Sequence, residues 1–556
     1  MSAVEDVAYE LGLAGVDPAS LGKALAQAAL AIVRQPAFSA RALGELALEE
    51  GTVGLDVARA LLGVAGEPPV KPDRGDRRFG DRAWTENPFL RGTAESYLVV
   101  SRWAQRTLAE ARLPERTARK AGFALRLLLD AAAPTNILWL HPGVLKETID
   151  TGGVSLVRGF ANFFEDVVRN GGLPAQVDVS AFEVGKTLAA TPGRVVFRNE
   201  LIELLAYEPR TETVFERPLL YSPPWVNKYY VMDLAPGRSF VEYAVGEGFT
   251  VFAISYRNPD DTMADLRLDG YLRDGLLAAA DRVGEVTGSE QVNVLGVCLG
   301  GTLTAMALGV LAARGEAERI GAAALVNTLV DYSDPGEVAV FTDEESIARI
   351  ERRTARRGYL QASEMASAFT WMRGNDLVWS YVASSWGMGK RPPPFDILAW
   401  NADGTRLPAA MHSQFLRACY LENRLARGEL ELDGVRIDLG RVRTPLYVFG
   451  AERDHIAPWR TVYATTQLVG GNRRFVLGSG GHIAGMVSPP GSAKAWYRTQ
   501  EETPPDPEAW LRGAKRVDGS WWQDWAAWAA AHSGARVAPP ELPPGERAPG
   551  RYVRER

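Results

Sequence analysis

Three residues of this 556-residue chain could together carry out nucleophilic chemistry: Cys298, Asp454 and His482. Cys298 lies in the sequence Gly-Val-Cys-Leu-Gly-Gly, residues 296–301, and the chain has only one other cysteine, Cys419. A cysteine reacts as its thiolate, so it needs a base to take its proton, and a carboxylate can hold a histidine base in the right tautomer. These residue types therefore predict acyl transfer through a thioester.

The neighbouring residues indicate which elements position this set. A β-branched run at 292–295 precedes the turn, and a stretch of small residues at 302–307 follows it. Strand, sharp turn and helix are the layout of the α/β-hydrolase nucleophile elbow, here with cysteine in place of serine. Asp454 and His482 each follow a predicted strand, and the order nucleophile, acid, histidine is the order of that fold.

Each of the three residues could instead have a purely structural role. The glycine-rich turn could be only a tight strand-to-helix junction, Asp454 could cap a helix that leads into Pro458, and His482 could make a structural hydrogen bond. Their joint occurrence in order, each after a strand, favours catalysis. His455 is assigned either a structural role or a role in supporting the site. The other candidates are assigned structural roles: His141, His412, His532 and Cys419.

An oxyanion site is predicted at the start of the helix after the turn. The backbone N–H of Leu299 should donate to the oxyanion, and a second donor should come from the loop after the predicted strand at 218–222. The helix N-terminus also favours a negatively charged Cys298 sulfur.

The distribution of short apolar runs predicts a helical region followed by an α/β domain. Residues 1–200 are predicted as a mainly helical N-terminal domain, and residues 201–556 as an α/β-hydrolase domain with a mostly parallel sheet. About 120 residues separate two of the strands, which is too long for a loop, so an inserted cap is predicted at about 328–440. The strands are predicted at 218–221, 250–255, 292–295, 322–326, 446–449 and 474–477.

Composition excludes several classes of function. The net charge of -6 gives no argument for nucleic acid, and the chain has no apolar run long enough for a transmembrane helix. The first residues lack the features of a secretory signal, so a cytoplasmic protein is expected. Four of the 15 tryptophans cluster at 521–528, where core packing is the favoured interpretation and a surface that touches lipid or polymer is the alternative.

Several longer segments carry a resemblance to a known family. The chain resembles the polyhydroxyalkanoate synthases, also called poly(3-hydroxyalkanoate) polymerases, from about residue 75 to the end. Tyr256 stands where tryptophan is expected in the family. The matching segments are 191–199, 223–234, 255–259, 296–301, 375–379, 392–396, 400–408, 450–459 and 480–485 with the prolines that follow.

The resemblance implies a reaction and a setting. A (3R)-hydroxyacyl-CoA, with 3-hydroxybutyryl-CoA favoured, would acylate Cys298 and release CoA, and the polyester would grow by ester formation at the 3-hydroxyl. In the family, the residue matching Asp454 orients the histidine, activates the hydroxyl, or does both. The resemblance is to the single-subunit type, and it implies no metal or organic cofactor, a homodimer, and association with cytoplasmic polyester granules.

Three other interpretations stay open. A thiol hydrolase or depolymerase on the same fold would release free 3-hydroxy acid. A medium-chain-length synthase would have the same motifs. A non-catalytic granule-coating protein would keep the fold, and its function would be unchanged by Cys298→Ala.

Overall fold

The computed structural model describes residues 16–64, 66–73 and 76–556. The chain forms two compact units. One comprises residues up to Asp178 together with Ser363–Pro394, and the other comprises Val179–Ala362 and Phe395–Arg556. The predicted domain boundary at residue 200 stays a prediction, and the part of the helical prediction that falls on residues 1–15 lies outside the described residues.

The first unit is helical in the described residues before 178, as the sequence predicts. Prolines at the first helical position and polar caps start several of its helices. Asp17 accepts a hydrogen bond from the N–H of Ser20, and Asn87 accepts from the N–H groups of Phe89 and Leu90. The helices are Pro18–Val33, Pro36–Leu61, Ala83–Glu86, Pro88–Glu110, Glu115–Ala132, Pro142–Asp150, Val154–Arg169 and Ala362–Met372, followed by the π-helical turns Asn375–Trp379 and Val382–Gly387.

The second unit is built on a ten-stranded sheet. In chain order its strands are β1 (Gly193–Arg198), β2 (Ile202–Tyr207), β3 (Leu219–Ser222), β4 (Val251–Tyr256), β5 (Val292–Val297), β6 (Ile320–Val326), β7 (Leu446–Ala451), β8 (Arg473–Gly478), β9 (Trp496–Gln500) and β10 (Lys515–Asp518). Their order across the sheet is β1-β2-β4-β3-β5-β6-β7-β8-β9-β10.

The centre of this sheet is parallel, as the sequence predicts. Strands β4, β3, β5, β6, β7 and β8 pair in parallel with one another, in that order across the sheet. Strands β2 to β7 bury almost every residue. Two antiparallel strands flank this centre on each side. These four edge strands are not among the predicted ones. In β10 all four residues are exposed, so no alternation of apolar and polar residues marks it in the sequence.

Helices cover the sheet. The helix after β5, Leu299–Arg314, is buried at every residue from 300 to 311. This burial explains why small and apolar residues occur on every side of the helix. The other helical segments of this unit are Phe240–Gly246, Leu268–Gly270, Tyr271–Leu277, Ala278–Thr287, Glu344–Thr354, Asp396–Ala402, Ala409–Phe415, Leu416–Leu421, Trp459–Leu468, His482–Met486, Pro507–Gly513 and Trp521–Ala531.

The tryptophan cluster near the C-terminus belongs to the core. Trp521, Trp522 and Trp525 are each at most 2% exposed, and their rings pack on Phe240 at 4.6–5.8 Å between centroids. The core-packing interpretation of these tryptophans is therefore confirmed.

A helical insertion separates β6 from β7 along the chain, at residues 327–445. Its middle part, Ser363–Pro394, belongs to the first unit. The function of the insertion as a cap stays a prediction. Among the described residues, no helix combines the length and the apolar character that crossing a membrane requires.

Candidate active site

Cys298 lies on a strained turn between β5 and the helix Leu299–Arg314. Its φ of 50° and ψ of -119° are values that residues other than glycine rarely adopt. The turn is held by the N–H of Cys298, which donates to the carbonyl of Val326 at 2.8 Å. The cysteine is partly exposed, so its thiol is accessible while its backbone is fixed.

Three glycines make this turn possible because nothing larger fits. A Cβ at Gly296 would come within 2.6 Å of Gly301 Cα. A Cβ at Gly300 would lie 2.1 Å from the carbonyl oxygen of Ser222, and one at Gly301 would lie 1.9 Å from Thr328 Oγ1. The motif is therefore a tight strand-to-helix junction, as the structural alternative proposed. The same junction leaves the Cys298 thiol partly exposed.

Asp454 follows β7 and His482 follows β8. These two strands are parallel neighbours and end at the same level of the sheet, because their last residues, Ala451 and Gly478, pair with each other. His482 Nδ1 lies 2.6 Å from Asp454 Oδ2. The other carboxylate oxygen, Oδ1, accepts the N–H groups of Ile456 and Ala457, both at 2.9 Å. Asp454 therefore shapes the local turn with one oxygen and fixes the imidazole with the other.

The imidazole of His482 also interacts with Cys298. Burial alone would lower its pKa, but the charges of Asp454 and of the Cys298 thiolate, with hydrogen bonds to both, raise the pKa of His482 well above its usual value. This arrangement favours the protonated form of the His482 imidazole. The structure thus brings the three predicted residues together from three separate loops.

Leu299 occupies the first position of the helix after the turn. At that position a backbone N–H has no acceptor within the helix, so it is available to a substrate oxygen beside Cys298.

Asn327 is a site residue that the sequence analysis missed. It follows β6 directly, adopts a φ of 46°, and is buried. Its Nδ2 donates to the carbonyl of His482 at 2.6 Å, and its N–H donates to the carbonyl of Phe449 at 2.8 Å. Asn327 therefore holds the backbone of the histidine. An asparagine at the end of a buried strand is the only signal of it in the sequence.

Two tyrosine side chains lie close enough to Cys298 to interact with its charge. Burial raises the pKa of Tyr332 and of Tyr420, and the Cys298 charge acts in the same direction on both. The Phe415 ring contacts both tyrosine rings, at 5.9 and 5.5 Å between centroids. Cys419 is fully buried, and burial raises the pKa of its thiol, so it is the inert cysteine that the sequence predicts.

Two family models match the sequence. Residues 75–244 match the model described as the N-terminus of poly-beta-hydroxybutyrate polymerase (PhaC). Residues 218–489 match the alpha/beta hydrolase fold, which agrees with the observed sheet.

The poly(3-hydroxyalkanoate) polymerase subunit PhaC of Rhizobium meliloti is 42% identical to this chain over 503 residues, covering 89% of this chain and 82% of the relative. The chain belongs to the poly(3-hydroxyalkanoate) polymerase family. Polymerase 2 of Ectopseudomonas oleovorans is 41% identical over 98% of this chain and 95% of its own length. The PhaC subunit of Cupriavidus necator is 42% identical over 86% and 83%.

Among solved structures, a monoacylglycerol lipase of Paleococcus ferrophilus matches 58% of this chain and 100% of its own, at 11% identity and a TM-score of 0.32. As a member of this polymerase family, the chain is an acyltransferase-type enzyme.

Two other histidines, His141 and His532, make local structural contacts, and His412 is buried. His141 Nδ1 accepts the N–H of Val144 and caps a helix. His532 Nδ1 lies 2.8 Å from the carbonyl of Trp528, and burial lowers the pKa of His412 to about 4. Among the described residues, no group of three or more His, Cys, Asp or Glu side chains is placed to hold a metal ion.

Proposed function

We propose that this enzyme polymerises (3R)-hydroxyacyl-CoA into a polyhydroxyalkanoate polyester, with release of CoA, through a thioester on Cys298. The observation that carries the proposal is the Cys298 elbow facing the buried Asp454–His482 pair, at 2.6 Å between Oδ2 and Nδ1, in a chain of this family. The reaction uses no metal and no organic cofactor, and CoA enters as part of the substrate.

Acylation is the first step. The Cys298 thiolate attacks the thioester carbonyl while His482 carries the proton, and the bond to the CoA sulfur breaks as that sulfur takes the proton. The Leu299 N–H stabilises the oxyanion. Because Pro223 and Pro224 have no N–H, the first donor along the loop after β3 is that of Trp225, which we assign as the second oxyanion donor.

Elongation is the second step. The 3-hydroxyl of another unit attacks the acyl thioester, His482 takes the hydroxyl proton, and an ester forms as the sulfur leaves. Asp454 orients the imidazole and stabilises the imidazolium. Its two carboxylate oxygens are both occupied, by His482 and by backbone N–H groups, which supports this role over direct activation of the hydroxyl.

The preferred substrate is 3-hydroxybutyryl-CoA. The rings of Tyr332, Phe415 and Tyr420 pack on one another, and both tyrosines interact with the charge of Cys298, which supports a short acyl chain over a medium one. The measurement is CoA release across hydroxyacyl-CoAs from C4 to C12. Highest kcat/KM at C8 or above would instead support the medium-chain alternative.

The deciding experiment follows CoA and product together. We expect purified enzyme with 3-hydroxybutyryl-CoA to release CoA and accumulate polymer. Cys298→Ala should abolish both, and Cys419→Ala, the matched control at the buried cysteine, should abolish neither. Free 3-hydroxybutyrate without polymer would support the hydrolase alternative, and no CoA release from reduced wild-type enzyme would refute both.

The setting of the enzyme follows from its product. We place it as a cytoplasmic homodimer at the surface of polyester granules. Centrifugation of granules from producing cells measures the association, and analytical ultracentrifugation measures the dimer.

A further inference from the structure

A buried lysine lies in the loop that follows β3. Lys228 is 3% exposed, and it stands three residues after Trp225, which we assign as the second oxyanion donor. Burying an ammonium group costs free energy unless hydrogen bonds and opposite charges compensate it. Burial lowers the pKa of Lys228, and the charges of Asp403 and Glu555 act in the opposite direction. The proposed reaction uses neither a proton nor the charge of this lysine, so its contacts indicate its role.

The ammonium group binds residues 551–556, which we call the anchor segment. Lys228 Nζ donates to the carbonyl of Glu555 at 2.8 Å and to the carbonyl of Tyr552 at 3.2 Å. Two backbone N–H groups of the same segment donate to Glu203 Oε2, at 2.9 and 3.0 Å. Glu203 is a fully buried residue of β2. The anchor segment is therefore attached to the central sheet.

Further hydrogen bonds attach the anchor segment near the end of β4. Glu555 Oε2 accepts the N–H of Asn258 at 3.2 Å. Arg406 Nη2 donates to the carbonyl of Arg556 at 3.0 Å, and the N–H of Arg406 donates to Asn258 Oδ1 at 2.9 Å. These contacts, together with those of Glu203, fix the two carbonyls that Lys228 binds.

The other end of the loop lies against the nucleophile elbow. A Cβ at Gly300 would lie 2.4 Å from the carbonyl oxygen of Pro223, so the loop starts in close contact with the turn that carries the nucleophile. Further along, the carbonyl of Trp225 accepts the hydroxyl of Thr405 at 3.0 Å. Within the part of the chain that the structure describes, the Trp225 N–H donates to no other backbone group. It therefore lies in a loop that is fixed at the elbow and again at Lys228.

We propose that Lys228 is a positioning residue of the oxyanion site. By binding the anchor segment, it fixes the far end of the loop and so holds the Trp225 N–H where that group donates to the oxyanion beside Cys298. The proposal rests on the proposed function, because that function assigns the donor to Trp225. A displacement of about 1 Å in a catalytic group can slow a reaction about 10²-fold, so a residue that does not touch the substrate can control the rate.

The experiment compares two reactions of the Cys298 thiol in the full chain. Acylation by p-nitrophenyl acetate passes through an oxyanion and releases p-nitrophenolate, whereas alkylation by iodoacetamide forms no oxyanion. The variant is Lys228→Met, which removes the ammonium group and keeps an unbranched side chain. The matched control is Lys120→Met, at a lysine that is 7% exposed and donates to Ser20 Oγ at 2.7 Å.

We expect Lys228→Met to slow acylation at least tenfold, while alkylation of Cys298 stays within about twofold of wild type. With 3-hydroxybutyryl-CoA, kcat for CoA release should fall by a similar factor and KM should change little. Lys120→Met should leave both thiol reactions and CoA release unchanged. Glu555→Ala removes the carboxylate that accepts the Asn258 N–H, so it should slow acylation about threefold and add little to the effect of Lys228→Met.

Either of two results in Lys228→Met would overturn the proposal. One is acylation at the wild-type rate, and the other is equal slowing of acylation and alkylation, which would indicate a general loss of the structure of the site. Unchanged acylation in Glu555→Ala would overturn it as well, and that variant decides if Lys228→Met does not fold. Both thiol reactions are independent of polymer formation, so wild-type enzyme that reacts with both reagents and releases no CoA would refute the proposed function alone.

Discussion

Replacing Asp454 by asparagine should slow elongation much more than acylation of Cys298. The carboxylate lies 2.6 Å from His482 Nδ1 in a buried setting. With an effective dielectric constant of about 20, Coulomb's law gives about 6 kcal/mol for a full imidazolium–carboxylate pair at this distance. An asparagine keeps a hydrogen bond worth about 1–2 kcal/mol, so about 4–5 kcal/mol of imidazolium stabilisation is lost.

The two steps depend on this stabilisation to different degrees. An alcohol is not ionised near neutral pH, so elongation needs His482 to take a proton, and we expect Asp454→Asn to slow elongation about 10³-fold. A thiol is a much stronger acid than an alcohol, so attack by sulfur depends less on a base than attack by a hydroxyl does. Acylation of Cys298 should therefore slow only about tenfold to a hundredfold, and the acyl-enzyme should accumulate.

Rapid-quench measurement of CoA release, with intact-protein mass spectrometry, tests this directly. We expect a burst of about one CoA per active site, followed by very slow turnover, and a mass increase of one acyl unit on Cys298. Cys298→Ala should show no burst. Equal slowing of burst and turnover, or turnover within tenfold of wild type, would refute the reasoning that Asp454 acts through the imidazolium.

Three further predictions test positions around the site and the core. Gly300→Ala places a methyl group 2.1 Å from a carbonyl oxygen and should lower CoA release more than a hundredfold, whereas Gly122→Ala, with nothing within 4 Å of its Cβ, should leave it unchanged. Asn327→Gly keeps the positive φ but frees the carbonyl of His482, so kcat should fall about tenfold and KM should change little, as steady-state kinetics would reveal. Burial raises the pKa of Asp233 from 3.8 to about 6, so its contribution to stability is full below pH 4 and is lost as the pH rises through about 6. The difference in unfolding free energy between wild type and Asp233→Asn, from urea titrations at pH 4 and pH 8, should change by about 2.4 kcal/mol over that interval.

The meeting of the three residues that we propose as catalytic could be predicted because local sequence marks each of them. The glycines around Cys298 mark the elbow, and Asp454 and His482 each follow a strand whose apolar run is continuous. Parallel strands bring their carboxyl ends to one edge of the sheet, so order along the chain was enough to predict their meeting.

Other features depend on contacts between distant residues and leave little trace in the sequence. Asn327 acts through the carbonyl of a residue 155 positions away. The orientation of the helix Val154–Arg169 is decided by Gly159 against Trp386, while its amphipathic pattern alone predicts the opposite burial. The strand β10 has only exposed residues, so pairing with β9 defines it rather than its own composition.

The crowding of the elbow has a consequence for how such enzymes diverge. The atoms nearest to a Cβ added at Gly296, Gly300 or Gly301 belong to the backbone or to two threonine side chains, Thr304 and Thr328, and none belongs to the Cys298 side chain. The turn therefore constrains the shape of the chain without constraining which atom attacks. A single exchange of oxygen and sulfur can change the leaving-group chemistry while the scaffold needs no adjustment, so nucleophile identity can evolve independently of the fold that presents it.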